Sequence, residues 1–224
     1  LFVGPDFGFT DRDRDAVARA TRYVDPAEIA HEMADATALG VREALAAALD
    51  TDRLAGRSIG IQGLGQVGGA LARLLVAEGA FVCGHDVVAG RTEIAGVRAV
   101  GAGELLEARL DALAPCALGG AIDRDIVSRL SVRALAGAAN QLLAAPEVEV
   151  ARSLAGRGIV HVPDFLANAG ALIHWASRVL EGGTAADARS AVLRIGRTAR
   201  EVLDRARRTG ATPLEVALEI ALGR

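Results

Sequence analysis

Lysine is absent from the 224 residues of this sequence, and all 25 basic residues are arginine. A mechanism that needs a lysine amine, as a Schiff base, a general base or a phosphate clamp, therefore cannot be completed by this chain alone. Cysteine is scarce as well: Cys83 and Cys116 lie far apart and form no CxxC pair, so neither a disulfide framework nor a zinc knuckle is indicated. The four histidines have no metal-ligand spacing, so we expect no metal site.

Long apolar runs and a strong net charge are also missing. No run reaches the roughly 18 residues that span a bilayer, and the N-terminus lacks the basic-then-apolar pattern of a signal peptide. A net charge of −3 provides no electrostatic footprint for nucleic acid or an anionic membrane. Since 51% of the residues are hydrophobic, the chain can bury a large core. We expect a folded, cytoplasmic protein that binds neither nucleic acid nor membrane.

The chain alternates between strand-like and helix-like segments from about residue 58 to residue 162. Such alternation, with continuously apolar strands, predicts an α/β fold of the Rossmann-like, doubly wound type, in which a mostly parallel sheet is covered on both faces. We divide the chain into a hinge segment with helices (1–50), a Rossmann core (51–170) and C-terminal helices (171–224), all within one dinucleotide-binding domain. Within the hinge segment, the apolar pattern predicts a helix over 35–49.

A glycine-rich loop stands between a buried strand and an amphipathic helix, in the segment SIGIQGLGQVGGALARLL. This context makes the match GLGQVG specific for dinucleotide binding. Gly63 permits the tight turn, Gly65 lets the backbone approach a pyrophosphate, and Gly68 lets the helix pack against the strand. Backbone N–H groups at the helix start, at Gln66 and Val67, would then hold the phosphates.

An acidic residue is expected at the end of the second strand, and Asp86 stands there. A carboxylate at this point accepts hydrogen bonds from the adenosine ribose and repels a 2′-phosphate, so the sequence favours NAD over NADP. Arg91 nearby acts in the opposite direction. A glycine-rich turn without a nucleotide, and a flavin in place of nicotinamide, are the alternatives.

Five strings resemble the family of glutamate, leucine, phenylalanine and valine dehydrogenases, especially its leucine, valine and phenylalanine branch. They follow in order: GPDFGFT (4–10), TALGV (37–41), APCALGGAI (114–122), AGAANQLL (136–143) and VPDFLANAGALI (162–173). The resemblance implies the cofactor-binding domain of an NAD-dependent enzyme that reversibly deaminates an L-amino acid to a 2-oxo acid and ammonia. It also implies assembly into homo-oligomers.

The resemblance assigns roles to individual residues. Asp6 would be the catalytic carboxylate that moves protons at the substrate nitrogen, unless it is a turn residue after Pro5. Thr37, taken to stand at the head of its helix, would contact the nicotinamide amide or serve only as a cap. Cys116 and Ala117 would line the adenosine or ribose pocket by their backbone.

Two asparagines complete the implied site. Asn140 would bind the nicotinamide ribose, and Asn168 would lie near the nicotinamide and the substrate. For each of them a structural role in a loop is the alternative.

Departures from the family pattern keep other functions open. The family supplies its lysines from a preceding N-terminal substrate domain, so we expect either that the natural chain begins upstream of Leu1 or that the protein is a remnant. The segment 24–36 differs from the loop of the leucine branch, Gln141 breaks the usual asparagine pair, and His174 with Trp175 replaces small residues facing the pocket, unless this pair only packs in the core. A lysine-free, catalytically silent NAD-binding protein, or one subunit of a split enzyme, is therefore the alternative to a dehydrogenase.

Overall fold

The protein is described by a computed structural model that covers residues 10–24 and 27–223. Six strands form its sheet: β1 (Ser58–Gln62), β2 (Phe81–His85), β3 (Val97–Ala99), β4 (Arg109–Pro115), β5 (Ser131–Leu135) and β6 (Val160–His161). The helices of the described residues are α1 (Asp11–Ala20), α2 (Ala27–Ala48), α3 (Gln66–Glu78), α4 (Ala102–Glu107), α5 (Arg124–Arg129), α6 (Glu147–Gly156), α7 (Asp164–Ala167), α8 (Gly170–Trp175), α9 (Ala185–Thr209) and α10 (Pro213–Ala221). A π-helical turn, Ala176–Leu180, follows α8 directly.

The sheet has the strand order β3-β2-β1-β4-β5-β6, and every neighbouring pair is parallel. This is the doubly wound order: β2 and β3 are added on one side of β1, and β4, β5 and β6 on the other. Dinucleotides bind at the point between β1 and β4 where the strand order changes direction. The predicted α/β, Rossmann-like fold with a helical C-terminal tail is therefore confirmed, and the paired strands are all parallel.

The core lies on both faces of the sheet, as the continuously apolar strands require. One face is covered by α2, α3 and α9, with the buried side chains Leu45, Leu71 and Leu203 against Ile59 and Ile61. The other face is covered by α4, α5, α6 and α10, with Leu105, Val127, Leu154 and Leu214 against Leu113 and Leu135. Both faces of the glycine-bearing strand β1 are thus dry.

Side-chain caps define several helix starts. At α1, the Thr10 hydroxyl and the Asp13 carboxylate form a capping box, and the helix ends at Ala20. At α10, Thr212 caps the helix and Pro213 occupies its first turn. In both helices the box satisfies N–H groups that have no partner inside the helix.

Helix α2 is longer than predicted, because it begins at Ala27 and not near residue 35. The interpretation of residues 24–36 as an altered loop is therefore wrong for residues 27–36. The stretch AEIAHEMADA consists largely of strong helix formers, so it extends the amphipathic helix towards the N-terminus.

Helices α2 and α8 meet backbone to backbone. A Cβ atom added to Gly170 would lie 2.1 Å from the carbonyl oxygen of Ala36, and one added to Gly40 would lie 3.6 Å from the Cα atom of Gly170 and 2.9 Å from the carbonyl oxygen of Ala167 at the end of α7. Neither position leaves room for a larger residue, so the two helices pack as closely as their main chains allow. Among the described residues, no helix combines the length and apolarity needed to cross a membrane.

Candidate functional site

The turn after β1 has the geometry that its three glycines predict. Gly63 has φ +90°, a left-handed conformation that favours glycine, and a Cβ atom there would lie 2.8 Å from that of Ala117. A Cβ atom on Gly68 would lie 1.9 Å from the carbonyl oxygen of Gly63, so α3 can pack against the end of β1 only without one. The turn is therefore closed on its protein side.

The same turn is open on its outer side. Gly65 precedes α3, and a Cβ atom there would meet nothing nearer than the Arg91 guanidinium at 3.9 Å. Gln66 and Val67 begin α3, where N–H groups have no partner inside the helix and the helix dipole is positive. An anionic group can therefore approach the main chain at Gly65 and meet backbone donors.

Asp86 lies at the end of β2 and holds the glycine turn. Its Oδ2 accepts from the Leu64 N–H at 2.7 Å, and its Oδ1 accepts from the Val88 N–H at 2.8 Å. Burial opposes ionisation of this side chain, which is only 5% exposed, but the N–H groups of Val88 and Leu64 and the guanidinium of Arg91, 3.6 Å away, hold the pKa of Asp86 below its usual value. Asp86 is therefore a carboxylate at neutral pH.

Cys116 and Ala117 follow β4 and face the glycine turn. The Cys116 N–H donates to the carbonyl oxygen of Gln62 at 2.7 Å, which continues the β1–β4 pairing to the edge of the sheet. Burial raises the pKa of Cys116 to about 12, so its thiol is protonated at neutral pH. These residues contribute main chain and bulk to the site, not a nucleophile.

The two predicted asparagines are brought together. Asn168, after α7, donates through Nδ2 to Asn140 Oδ1 at 2.7 Å and to the carbonyl oxygen of Ala138 at 3.3 Å. Asn140 itself follows β5, at the same edge of the sheet as the glycine turn. The structure therefore places both amides at the edge where open α/β sheets bind their ligands.

Gln141 adopts a conformation that its sequence position alone did not indicate. Its φ is +51°, and its N–H donates to Asp164 Oδ2 at 2.8 Å. Asparagine tolerates the left-handed region better than glutamine does, which gives a physical reason for an asparagine pair in the family motif. Asp164 was missed in the sequence, because nothing in the string PDFL marks a carboxylate that holds a turn 23 residues away.

Thr37 is not at the head of its helix, and the interpretation of it as a possible cap is wrong. It lies inside α2, is buried, and its hydroxyl donates to the carbonyl oxygen of Met33 at 3.0 Å. The main chain of Thr37 packs against Gly170, two residues beyond Asn168. Thr37 therefore lies near the asparagine pair through its position inside α2, and not at the start of a helix as predicted.

His174 is part of a charged cluster that the sequence did not reveal. Its Nε2 lies 2.8 Å from Glu32 Oε2, and Arg178 donates to the same oxygen at 3.2 Å. His174 is buried, and its contact with Glu32 joins α8 to α2. Residues 142 positions apart in sequence carry no local signal of such a pair. Asp6, the predicted catalytic carboxylate, lies outside the described residues.

Comparison with known sequences finds one family. A sequence model of the glutamate/leucine/phenylalanine/valine dehydrogenases matches residues 86–179. The valine dehydrogenase of Streptomyces coelicolor is 36% identical over 232 residues, which cover 96% of this chain and 63% of that protein. The leucine dehydrogenase of Bacillus subtilis is 35% identical over 186 residues, which cover 78% of this chain and 50% of that protein.

Solved structures show the same similarity. The L-tryptophan dehydrogenase of Nostoc punctiforme superposes with a TM-score of 0.83 and 30% identity, over 99% of this chain and 66% of that one. A hetero-hexameric glutamate dehydrogenase of Thermus thermophilus superposes with a TM-score of 0.74 and 26% identity, over 100% of this chain and 62% of that one. The chain thus spans between half and two thirds of the length of the relatives it matches.

Proposed function

Since this chain belongs to the glutamate/leucine/phenylalanine/valine dehydrogenase family, we propose that it is the cofactor-binding part of an NAD-dependent enzyme. The enzyme would deaminate an L-amino acid of the leucine, valine or phenylalanine type to a 2-oxo acid and ammonia. The observation that carries this proposal is the glycine turn, which is closed towards the protein at Gly63 and Gly68 and open outwards at Gly65. Such a turn lets a pyrophosphate approach the main chain.

The chain would contribute positioning and electrostatics. The first N–H groups of α3 would bind the pyrophosphate, and the main chain of Cys116 and Ala117 would border the adenosine. Asn140 and Asn168 would hold the nicotinamide ribose and the nicotinamide edge, respectively. The bound nicotinamide would supply the hydride acceptor. Asp6 would exchange protons with the substrate nitrogen.

The choice of NAD over NADP rests on Asp86. Its carboxylate carries a full charge and accepts one backbone N–H on each oxygen, which leaves lone pairs for ribose hydroxyls. A 2′-phosphate would meet this charge at close range. Arg91 weakens the discrimination without removing it, since it is half exposed and 3.6 Å from Asp86.

The absence of lysine favours a second candidate, a protein that binds NAD and catalyses nothing by itself. Such a protein would act as a regulator or as one subunit of a split enzyme. In that case the glycine turn would still bind NADH, but no amino acid would be oxidised.

One experiment distinguishes these functions. NADH is titrated by calorimetry into the protein purified from its natural host, and NADH formation from NAD is then followed by absorbance with L-leucine, L-valine and L-phenylalanine. Binding with turnover supports the dehydrogenase. Binding without turnover supports the silent module, and no binding of NADH or NADPH contradicts both. The intact mass of the protein purified from its host shows whether a lysine-bearing part accompanies the chain.

Other properties follow from the same proposal. We assign residues 1–50 to a hinge segment, 51–170 to the Rossmann core and 171–224 to the C-terminal helices of one dinucleotide-binding domain. We also propose a cytoplasmic homo-oligomer whose small-molecule partners are an amino acid and its 2-oxo acid. Size-exclusion chromatography with light scattering tests the assembly.

A further inference from the structure

A recess lined by arginines opens at the edge of the sheet where the strands begin. It has a volume of about 640 Å³, within the range of small-molecule sites. Its polar lining consists of Ser58, Arg109, Asp111, Arg129, Ser131, Arg133 and Arg157. We call this the arginine recess.

The arginine recess is separate from the glycine turn. Ser58 and Arg109 are the first residues of β1 and β4, whereas Gly63 and Cys116 follow the last residues of the same two strands. A five-residue strand rises about 3.3 Å per residue, so about 15 Å of sheet lies between the two edges. A ligand in the arginine recess would therefore not occupy the dinucleotide site.

Positive charge exceeds negative charge in the arginine recess. The lining holds four guanidinium groups, and Arg57 adds a fifth by its 3.6 Å contact with Asp111. Among the described residues, two carboxylates pair with these groups. Asp111 is shared between Arg57 and Arg133, and Glu107 pairs with Arg129. Three positive charges are therefore left over in a chain whose net charge is −3.

Asp111 has little capacity left to neutralise this excess. Its Oδ2 accepts from both the N–H and the hydroxyl of Ser58, at 2.9 and 3.0 Å. Its Oδ1 receives Arg133 at 3.2 Å. The main chain of Arg109 pairs with β5, but its guanidinium has neither a hydrogen bond nor an ion pair to any residue that the structure describes. An exposed cation that borders a recess and lacks a partner is available to a ligand.

Apolar side chains form the remaining wall: Leu110, Leu130, Val132 and Ile159. Leu130 and Ile159 are buried, so this wall is firm and excludes water from one side. A low-dielectric wall beside guanidinium groups strengthens their attraction for an anion.

We propose that the arginine recess binds a small anion that carries at least two phosphate groups. A planar guanidinium group can donate two parallel hydrogen bonds to two oxygens of one phosphate. Several guanidinium groups at one site therefore favour an anion with several charges over a single phosphate or a carboxylate. Arg109 and Arg133, which flank Asp111 in the lining, provide the contacts. A free polyphosphate and the phosphate tail of a nucleotide share this chemistry.

Inorganic pyrophosphate is the probe, and isothermal titration calorimetry at low ionic strength is the measurement. Because pyrophosphate can also bind at the glycine turn, the titration is made on the chain carrying Gly65→Glu, which places a carboxylate there in open space. In this background, Arg109→Ala and the pair Arg109→Ala/Arg133→Ala are compared with Arg197→Ala. Arg197 is an exposed arginine of α9 outside the recess, so that control removes the same charge elsewhere.

We expect the Gly65→Glu chain to bind one pyrophosphate, with affinity that falls as salt is added. Arg109→Ala should weaken binding at least about tenfold, because the hydrogen bonds that it removes are made to a charged group. Arg197→Ala should leave it unchanged. Single phosphate should bind more weakly than pyrophosphate, and ATP about as tightly if the natural ligand is a nucleotide.

Two results would overturn the proposal. The first is no binding by the Gly65→Glu chain, because pyrophosphate would then bind only at the glycine turn. The second is an affinity that changes less than about twofold with both recess variants. Circular dichroism shows whether the double variant folds. If the double variant does not fold, the affinity of the Arg109→Ala variant alone tests the proposal. Neither result depends on whether the chain oxidises amino acids.

Discussion

Asn168 donates a hydrogen bond from Nδ2 to Oδ1 of Asn140 at 2.7 Å, across 28 residues of the chain. Asn140 uses its side-chain oxygen for this bond. Its Nδ2 makes no hydrogen bond to a residue that the structure describes, so it can donate to a ligand. Each asparagine therefore orients the other, and the loops after β5 and α7 form one surface.

Replacing Asn168 should weaken cofactor binding. Asn168→Ala removes the donor that orients Asn140, and Asn168→Asp places a negatively charged acceptor against the Asn140 acceptor. We expect the Kd for NADH to rise up to about tenfold in Asn168→Ala, because one hydrogen bond contributes about 0.5–1.5 kcal/mol. In Asn168→Asp the Kd should rise at least as much, because the repulsion between the two acceptors adds to the loss of the hydrogen bond. A fluorescence titration with NADH measures this. Unchanged affinity in both variants would remove Asn168 from the site.

Gly68→Ala should destabilise the fold, because its Cβ atom would lie 1.9 Å from the carbonyl oxygen of Gly63. A loss of about 1–3 kcal/mol in the free energy of unfolding is expected for such overpacking. Gly103→Ala in α4 is the matched control: its Cβ atom would meet nothing within 4 Å, and alanine should stabilise that helix by about 0.5–1 kcal/mol. Urea unfolding of both variants measures the free energy of unfolding. If the two variants changed this free energy equally, the close approach of Gly68 to Gly63 would be contradicted.

Gln141→Asn should stabilise the protein. Gln141 has φ +51°, where a side chain with a Cβ atom is strained and asparagine is the best tolerated after glycine. We expect a gain of about 0.5–1 kcal/mol, since the full left-handed penalty is about 1–2 kcal/mol and asparagine relieves part of it. Gln141→Ala keeps the Cβ atom without the compensating amide and should show no gain. Thermal unfolding compares the three chains.

His161 should make stability depend on pH. It is 3% exposed, neither ring nitrogen has a partner among the described residues, and burial lowers the pKa of His161 to about 4 from 6.5. The unfolded chain therefore binds a proton that the folded chain rejects between pH 6.5 and about 4, so stability is lost as pH falls through this window.

The total change is about 3 kcal/mol for this pKa difference. His161→Leu should remove that pH dependence and also stabilise the protein at pH 7, because two unpaired buried polar atoms disappear. Urea unfolding at a series of pH values between 4 and 7.5, for both chains, measures the difference. Parallel curves for the two chains would contradict this prediction, because they would mean that folding does not shift the pKa of His161.

Asp86 and Arg91 should move cofactor choice in opposite directions. Asp86→Asn removes the charge that opposes a 2′-phosphate, so the ratio of NADPH to NADH affinity should rise about tenfold. Arg91→Ala removes the opposing cation and should lower the same ratio. Titrations with both cofactors give the ratios. If both variants shift it the same way, the discrimination lies elsewhere.

The sequence contained enough local information to locate the Rossmann core. The segment Ser58–Gln62 was predicted to be a strand and is one, because apolar periodicity and the flanking glycines act over a few residues. The close contacts at Gly63 and Gly68 follow from the same short motif. The carboxyl ends of parallel strands meet at one edge of the sheet. This explains why the sequence could place Asp86, Cys116 and Asn140 at the same edge, since they follow β2, β4 and β5.

Other features depend on contacts that no short segment specifies. The start of α2 was placed too late because the apolar stripe is clear only from residue 35, whereas helix formers continue back to Ala27. The pair of His174 and Glu32 joins residues far apart in sequence. The arginine recess likewise collects residues from the starts of β1, β4 and β5 and from the segments before β5 and β6, so its charge is visible only after the sheet is assembled.

The contact between Gly170 and the main chain of Ala36 also limits how the protein can move. Helices that slide past each other normally do so by exchanging side-chain rotamers, and here no side-chain layer separates the two backbones. Helix α2 and the loop bearing Asn168 should therefore travel as one rigid unit. Any bending of the chain would then have to occur outside this pair, and the spacing between Thr37 and Asn168 would stay constant.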